Sequence, residues 1–320
     1  MSGVDGAAMD AGKVFERSIL PMLFPTADPE PSPRLTLIAG GQGSGRVRAI
    51  HRALRSAPGA AVVSADDLRG FHPRAAESDA RATVAADVAE WLRLAIAHAR
   101  EHSRSLIIEG EFPRADVVRG VIEQFTEAGF VTDMILVVPR RPETLLAAAS
   151  AHFRDVHRGI ASLGVSAADH DMSWRETRGV IEKLADVGRR ASLMMLDGAG
   201  NEVGGVSIDP LRATSAFDQA REGSPTGRAA IEWLGELRRL TDFVRILPPR
   251  ATDLDVLIEL HQIALRDVVP SMQLPANSTT GPQLESRLAA ESAALRRQRA
   301  TLPSSEPTAA PTPPSPGLDR

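Results

Sequence analysis

The residues of this chain with the clearest chemical potential lie in a glycine-rich loop, within the stretch LTLIAGGQGSGRVRAI at residues 35–50. Gly40 and Gly45 are separated by four residues, the spacing found in loops that wrap the phosphates of a nucleotide. Glycines let consecutive backbone N–H groups turn toward phosphate oxygens, and a following helix adds the positive end of its dipole. The predicted phosphate site comprises Gly40, Gly41, Gln42, Gly43, Ser44, Gly45, Arg46 and Val47. The alternative is a glycine-rich turn that only joins a strand to a helix.

Two positions depart from the phosphate-binding pattern. The pattern continues with Lys and then Ser or Thr, which contact the terminal phosphates and Mg²⁺, whereas this chain has Arg46 and Val47. Arginine binds phosphate through a planar fork instead of a compact charge. Among 37 basic residues only Lys13 and Lys183 are lysines, so composition can explain Arg46 but not Val47, which offers no oxygen to a metal. A dinucleotide-binding fingerprint does not fit, because its third glycine would fall on Arg46. We predict no metal ligand in the chain.

Acidic residues follow two further predicted strands. Asp66 comes after the run at 60–64, where a carboxylate could take the proton of a hydroxyl that attacks a phosphate. Asp66 or its neighbour Asp67 could instead cap the next turn. Glu109 and Glu111 lie two residues apart, so an extended backbone points both to one face. They could bind a metal or a sugar hydroxyl, or form a salt bridge at the rim of the sheet.

Hydrophobic runs alternate with helical patterns over the first two thirds of the chain. Strands are predicted at 35–39, 60–64, 105–108 and 131–138, with a closing hairpin at 193–196 and 203–208. Helices are predicted at 83–100, 116–128, 142–158, 173–190, 226–240, 252–269 and 282–300. This alternation predicts an α/β fold, with a mainly parallel sheet flanked by helices and a helical C-terminal extension.

The same patterns suggest a division of the chain. We expect a disordered N-terminus at 1–12, an α/β domain at 13–209, a helical extension at 210–275, a short helix and linker at 276–301, and a disordered proline-rich tail at 302–320. The tail offers no periodic apolar face.

Composition limits the class of protein. The 320 residues are 43% hydrophobic and include no cysteine, which excludes disulfides, thiolate zinc sites and cysteine nucleophiles. A formal charge of −4 argues against a general nucleic-acid binder. No stretch approaches the about 18 apolar residues of a membrane span, and the first residues lack a secretory signal. We therefore expect a cytoplasmic protein that binds neither nucleic acid nor membrane.

Five stretches, taken in order, resemble the zeta toxin family, which are P-loop kinases that phosphorylate UDP-N-acetylglucosamine with ATP and Mg²⁺. They are VFERSILPMLFP, IAGGQGSG, VVSADDLRGFHP, LIIEGEFPRADVV and FTEAGFVTDMILVVP. The resemblance implies a P-loop kinase-like fold, ATP and Mg²⁺ as cofactors, and a sugar nucleotide as the acceptor. It also implies a small helical antitoxin as a partner, since such antitoxins cover the ATP site in the family.

The resemblance also assigns roles to residues. Asp66 matches the general base of the family, and His72-Pro73 matches its motif. Arg46 joins Asp66 as a candidate catalytic residue. The candidate substrate-binding residues are Glu109, Glu111 and Arg114, the last matching an arginine that trails the third strand.

Departures from the family pattern fall on catalytic positions. The threonine of the family's third strand is Glu111 here. The first of two arginines that neutralise the transferring group aligns with Ala151, and residues 159–168 contain no arginine for the second. Arg154 and Arg158 lie one and two turns beyond Ala151 on nearly the same helix face, so either could substitute.

Three functions remain open on the sequence. The first is an ATP-dependent phosphotransferase of the zeta toxin type with weak or lost activity. The second is a relative that binds a nucleotide, a sugar nucleotide or a protein without turnover. The third is an interaction protein that has lost the ligand as well.

Overall fold

The architecture is seen in a computed structural model, which describes residues 10–303 except 26–27, 76, 78, 113, 161, 163, 185–190, 204–209, 249 and 276–277. Within this part, five parallel strands form one sheet in the order β2-β3-β1-β4-β5. The strands are β1 (Arg34–Ala39), β2 (Ala61–Ser64), β3 (Leu106–Gly110), β4 (Val131–Val137) and β5 (Ser192–Leu196). The predicted parallel α/β sheet is thereby confirmed.

Strand β1 occupies the centre of the sheet because its side chains can be buried on both faces. Leu35, Leu37 and Ile38 are each at most 1% exposed, which is typical of a strand covered by helices on both sides. The chain places β2 and β3 on one side of β1 and β4 and β5 on the other. The strand order therefore reverses beside β1, and ligands of such sheets bind in the crevice at the carboxyl ends next to that point.

Helices connect the strands and then continue alone to the C-terminus. They are α1 (Ala11–Val14, Phe15–Ile19 and Leu20–Leu23, the middle part a π-helix), α2 (Val47–Ser56), α3 (Ala65–Arg69), α4 (Arg81–Glu101), α5 (Ala115–Glu127), α6 (Arg141–His157), α7 (Ala167–Leu184), α8 (Pro210–Arg221), α9 (Gly227–Val244), α10 (Ala251–Ile263, extended by Ala264–Val268 and Val269–Ser271) and α11 (Thr280–Ala300). None of the described helices combines the length and hydrophobicity needed to span a membrane.

The apolar side chains form distinct clusters. One face of the sheet packs against α1, α4, α5, α7 and α8, around large side chains such as Trp91, Phe125 and Trp174. The other face is covered by α2 through Ala49 and Ala53. A further cluster joins α6 to α9, α10 and α11. Helix α6 thus links the sheet to the C-terminal helices.

The predicted domain boundaries agree only in part with these clusters. Helix α1 begins at Ala11, two residues before the predicted start of the α/β domain. Helix α8 follows the predicted boundary at 209, yet its side chains pack with the sheet cluster. Most of the tail predicted as disordered, from 304 onward, lies outside the described residues, as do residues 1–9.

One predicted boundary is wrong in a way that matters for the site. The sequence pattern predicts a helix that starts at Ser173, but α7 starts at Ala167. The missed signal is Ser166, whose Oγ accepts the N–H groups of Ala168 and Asp169 at 3.2 and 3.3 Å, as an N-cap serine does. Ser173 therefore lies inside the helix. The predicted strand at 203–208 falls almost wholly outside the described residues.

Candidate functional site

The glycine loop at 40–46 leads directly from β1 into the N-terminus of α2. Gly43 and Gly45 have φ angles of +80° and +71°, a left-handed conformation that favours glycine. Among the described residues, no hydrogen bond engages the backbone N–H groups of Gly43, Gly45 and Arg46. Free N–H groups at the start of a helix form an anion-binding site.

Helices α6 and α7 hold the loop in this shape. A Cβ atom on Gly43 would stand 2.1 Å from the carbonyl oxygen of Thr144 in α6. A Cβ atom on Gly41 would stand 2.8 Å from the ring of Trp174 in α7. The indole Nε1 of Trp174 donates to the carbonyl of Gln42 at 3.3 Å. Packing therefore favours glycine at both positions, and at Gly43 the positive φ favours it as well.

Arg46 folds back over the loop. Its Nη1 donates to the carbonyl oxygen of Gly40 at 2.7 Å and approaches the Oγ of Ser44 at 3.4 Å. Its Nε forms an ion pair with the carboxylate of Glu109 at the end of β3. Both side chains are only 18% exposed. The positive charge at the loop is thus neutralised by a carboxylate of the same chain.

Val47 stands where the phosphate-loop pattern has a hydroxyl, and its side chain is 62% exposed. The nearby Oγ of Ser44 is buried and faces the guanidinium of Arg46. Within the described residues, no group of three or more His, Asp and Glu side chains is arranged to hold a metal ion. The residues of the loop do not fit a directly bound Mg²⁺.

Glu109 lies between the glycine loop and the segment that follows β2. In the sheet register it is opposite Ile38 of β1 on one side and Ser64 of β2 on the other. Asp66 follows two residues after Ser64, in the exposed first turn of α3. The end of β3 therefore separates the predicted phosphate loop from the predicted base.

The cap of α3 is Ser64. Its Oγ accepts the N–H of Asp67 at 3.0 Å and donates to the Asp67 carboxylate at 2.7 Å. The interpretation of Asp66 or Asp67 as the N-cap is therefore wrong, because the N-cap is Ser64 and both aspartates lie in the first turn of the helix. Asp66 forms no hydrogen bond or ion pair with the described residues.

Glu111 and Arg114 lie beyond the end of β3. Glu111 accepts a hydrogen bond from the Oγ of Ser173 at 3.1 Å, and the same Oγ accepts the N–H of Gln42 at 3.4 Å. Glu111 thus borders the loop. Phe112 has a φ of +46°, a strained value of the kind that clusters at functional sites. Arg114 is exposed and paired with Asp116, which raises the pKa of Arg114.

Arg154 and Arg158 lie far along α6 from the loop. The atoms nearest to a Cβ on Gly43 belong to Thr144 and Ala148, and Arg154 and Arg158 follow Ala148 by about 9 Å and about 15 Å along the helix axis. Although burial raises the pKa of Glu236 in α9, hydrogen bonds and nearby charges, including that of Arg154, lower it overall. Arg154 thus lies close enough to α9 for its charge to affect Glu236.

Arg221 of α8 is an arginine beside the loop that sequence reasoning missed. Its guanidinium stacks on the Trp174 ring, 3.8 Å from the centroid. Its Nη1 donates to the carbonyl of Pro139 at 3.0 Å and to the Oγ1 of Thr144 at 3.2 Å. Burial lowers the pKa of Arg221 to about 10. No local sequence motif predicts a role for this residue, because it lies beyond the stretches that resemble the family. Only the packing of α8 brings it against Trp174 and Thr144.

His170 completes the support behind the loop. Its Nε2 lies 2.9 Å from the Oγ1 of Thr144 and its Nδ1 lies 3.1 Å from Asp171. Asp171 is held in turn by both Nε and Nη2 of Arg141, at 2.9 and 2.8 Å. His170 is fully buried, and this burial lowers its pKa to about 4.

We expect Gly43→Ala to destabilise the protein much more than Gly45→Ala. Both positions have positive φ, which costs an alanine about 1–2 kcal/mol. Only the new methyl at 43 would meet a fixed backbone carbonyl, which adds about 1–3 kcal/mol of overpacking. Urea unfolding of the two variants measures the difference. Equal losses would contradict the packing of the loop on α6.

We also expect the free energy of unfolding to decrease as the pH is lowered from 6.5 to about 4, because the pKa of His170 is lower in the folded protein than in the unfolded chain. The unfolded chain binds a proton at His170 in this range while the folded chain does not, which costs at most about 1.4 kcal/mol per pH unit. His170→Gln should flatten this slope, and His51→Gln, at an exposed position of α2, should not. Urea unfolding over this pH range tests the effect; an unchanged slope in His170→Gln would contradict it.

Comparison with known proteins supports the fold described above. A chain from the PezAT chromosomal toxin–antitoxin system of Streptococcus pneumoniae has a TM-score of 0.62 at 14% identity, covering 74% of this chain and 98% of that chain. A chain of the AvrRxo1-ORF1:-ORF2 complex with ATP has a TM-score of 0.43 at 13% identity, covering 88% and 86%, which is too low to support an inference. No curated protein sequence matches significantly.

The family comparison is more specific than the structural one. The sequence profile of the family described as Zeta toxin matches residues 23–193, more than half of the chain. The match includes β1 to β4, the glycine loop, Asp66 and Glu109. The chain belongs to the zeta toxin family.

Proposed function

We propose that this protein binds the triphosphate of ATP at the glycine loop and slowly transfers the terminal phosphoryl group to a hydroxyl of a sugar nucleotide such as UDP-N-acetylglucosamine. The observation that carries the proposal is the loop itself. The N–H groups of Gly43, Gly45 and Arg46, which lead into α2, are not engaged by any residue in the described part of the chain, and the chain belongs to the zeta toxin family. Such a constellation suits the terminal phosphates of a nucleotide.

The remaining residues take roles around this loop. Asp66 accepts the proton of the acceptor hydroxyl. The hydroxyl oxygen attacks the terminal phosphorus of ATP, and the bond from that phosphorus to the bridging oxygen breaks, which releases ADP. Glu109, at the end of β3, and Glu111 and Arg114, which follow it, contact the acceptor. Glu111 is already tied to the loop through Ser173.

Slow transfer follows from the missing cations. An arginine aimed at the moving phosphoryl group is worth about 10³–10⁵ in rate. Arg154 and Arg158 lie well along α6 from the loop, and Arg221 stacks on Trp174. Arg46 lies at the loop, where it can reach the phosphates, but it must first leave Glu109.

A second candidate is a protein that binds the nucleotide or a protein partner without turnover. The ion pair of Arg46 with Glu109 and the exposed Val47 favour it. In both cases we propose a small helical antitoxin as a partner, supported by the toxin–antitoxin system of the S. pneumoniae neighbour. Such a partner would cover the loop and compete with ATP.

Turnover separates the two candidates. Release of ADP in the presence of ATP and UDP-N-acetylglucosamine, with the phosphorylated sugar identified by mass spectrometry, should show slow activity that Asp66→Asn abolishes. Arg46→Lys combined with Val47→Thr should raise this activity. The rate should remain slow, because position 151 would still hold alanine where the family has an arginine. Detectable ATP binding with no product from any of these proteins would favour the second candidate.

We expect ATP affinity to depend weakly on Mg²⁺, because Val47 has no oxygen to ligate the ion. Titration calorimetry should show less than a tenfold change on adding Mg²⁺, about 1.4 kcal/mol. In the Arg46→Lys, Val47→Thr variant the dependence should increase. A gain of tenfold or more in the unmodified protein would contradict the expectation.

A further inference from the structure

The ion pair between Arg46 and Glu109 sets up a competition at the loop. Among the described residues, the Arg46 guanidinium contacts the Gly40 carbonyl, the Ser44 hydroxyl and the Glu109 carboxylate. A phosphate at this loop would need the same guanidinium. One cation therefore faces two anions, and one of these anions is built into the chain.

We propose that Glu109 is an internal anion that holds Arg46 against the loop until a nucleotide phosphate displaces it. Once Arg46 binds phosphate, the Glu109 carboxylate is free to accept a hydrogen bond from the hydroxyl of the acceptor. The nucleotide therefore binds before the acceptor. This inference rests on the proposed function and adds an order of binding to it.

The position of Glu109 supports both halves of the exchange. Its register partners are Ile38, the second-last residue of β1, and Ser64, the last residue of β2. The carboxylate thus lies between the phosphate loop and the turn that carries Asp66. An acceptor hydroxyl that Asp66 deprotonates must enter this same space, so Glu109 cannot serve the acceptor fully while it is paired with Arg46.

The shielding of the pair makes the exchange selective. Both side chains are largely removed from water, so separating them leaves two poorly solvated charges unless a new partner arrives. A triphosphate supplies more negative charge than one carboxylate and also engages the free N–H groups of the loop. A weaker anion lacks these contacts and leaves the pair intact.

The arginine at this position suits such a device better than a lysine. The rigid fork of Arg46 donates to Gly40 through Nη1 and to Glu109 through Nε at the same time. A lysine presents a single flexible ammonium, which does not fix two partners in one plane. The replacement of the usual lysine therefore has a structural consequence in the unliganded protein.

Titration calorimetry with ATP, with Mg²⁺ present throughout, tests the competition. Glu109→Gln keeps the side-chain volume but removes the charge, and it should tighten ATP binding about tenfold, equivalent to about 1.4 kcal/mol. The matched control is Glu202→Gln, which removes a carboxylate paired with Arg52 of the same helix α2. The control should change ATP affinity less than about twofold, since Arg52 lies beyond the loop.

The coupling is tested by repeating Glu109→Gln in an Arg46→Ala background. If Glu109 acts through Arg46, the substitution should then have no effect on ATP affinity. In the unmodified protein, a non-hydrolysable ATP analogue should also tighten the binding of UDP-N-acetylglucosamine, as reciprocal coupling requires. In Arg46→Ala the analogue should leave acceptor affinity unchanged.

The outcomes of these titrations test the inference separately from the proposed function. If Glu109→Gln binds ATP equally or more weakly, the inference is overturned while the proposed function stands. ATP binding by Glu109→Gln but not by the unmodified protein would support the inference strongly. If no variant binds ATP, the proposed function fails and the inference falls with it.

Discussion

The close approach of the glycine loop to helix α6 is the constraint on which the rest of the site depends. Gly43 leaves no space for a side chain in front of the Thr144 carbonyl, and Gly41 leaves none beneath Trp174. This contact fixes the path of the chain from β1 into α2 and so orients the free N–H groups at the helix start. Thr144 is in turn hydrogen-bonded to His170 of α7 and to Arg221 of α8, so these two helices hold the part of α6 that contacts the loop.

The positive charges of Arg46 and Arg141 are neutralised by carboxylates of the same chain. Arg46 is satisfied by Gly40 and Glu109, and Arg141 by Asp171 and Glu259. Buried or half-buried cations without partners would be costly, and these carboxylates offset that cost. Any phosphate that binds at the loop must compete with a carboxylate already in place.

Much of the fold could be predicted from the sequence because it depends on local pattern. The apolar run of β1 and the glycines after it indicate a buried parallel strand and a phosphate loop without reference to distant residues. Asp66 and Glu109 could likewise be placed near that loop, because the carboxyl ends of parallel strands share one edge of the sheet.

The contacts that shape the site could not be predicted in this way. Trp174 reaches the loop from a helix more than a hundred residues away, and Arg221 stacks on Trp174, so their role follows only from how α7 and α8 pack. By contrast, the start of α7 does carry a local signal, Ser166 followed by Asp169 in the first turn, although the sequence pattern predicts a start at Ser173. The pairing of Glu109 with Arg46 was open on the sequence, since a salt bridge at the rim of the sheet and a ligand-binding carboxylate have the same residue pattern.

The most direct test of this account is the Nε–H resonance of Arg46 in an arginine-labelled protein titrated with ATP. Loss of one signal in Arg46→Lys assigns the resonance. In the free protein, the shielded bond to Glu109 should slow proton exchange and keep the signal visible. ATP should shift it in step with binding, as the Nε–H exchanges its carboxylate partner for phosphate. A signal that stays unchanged at every ATP concentration would contradict the central claim that this loop binds phosphate through Arg46.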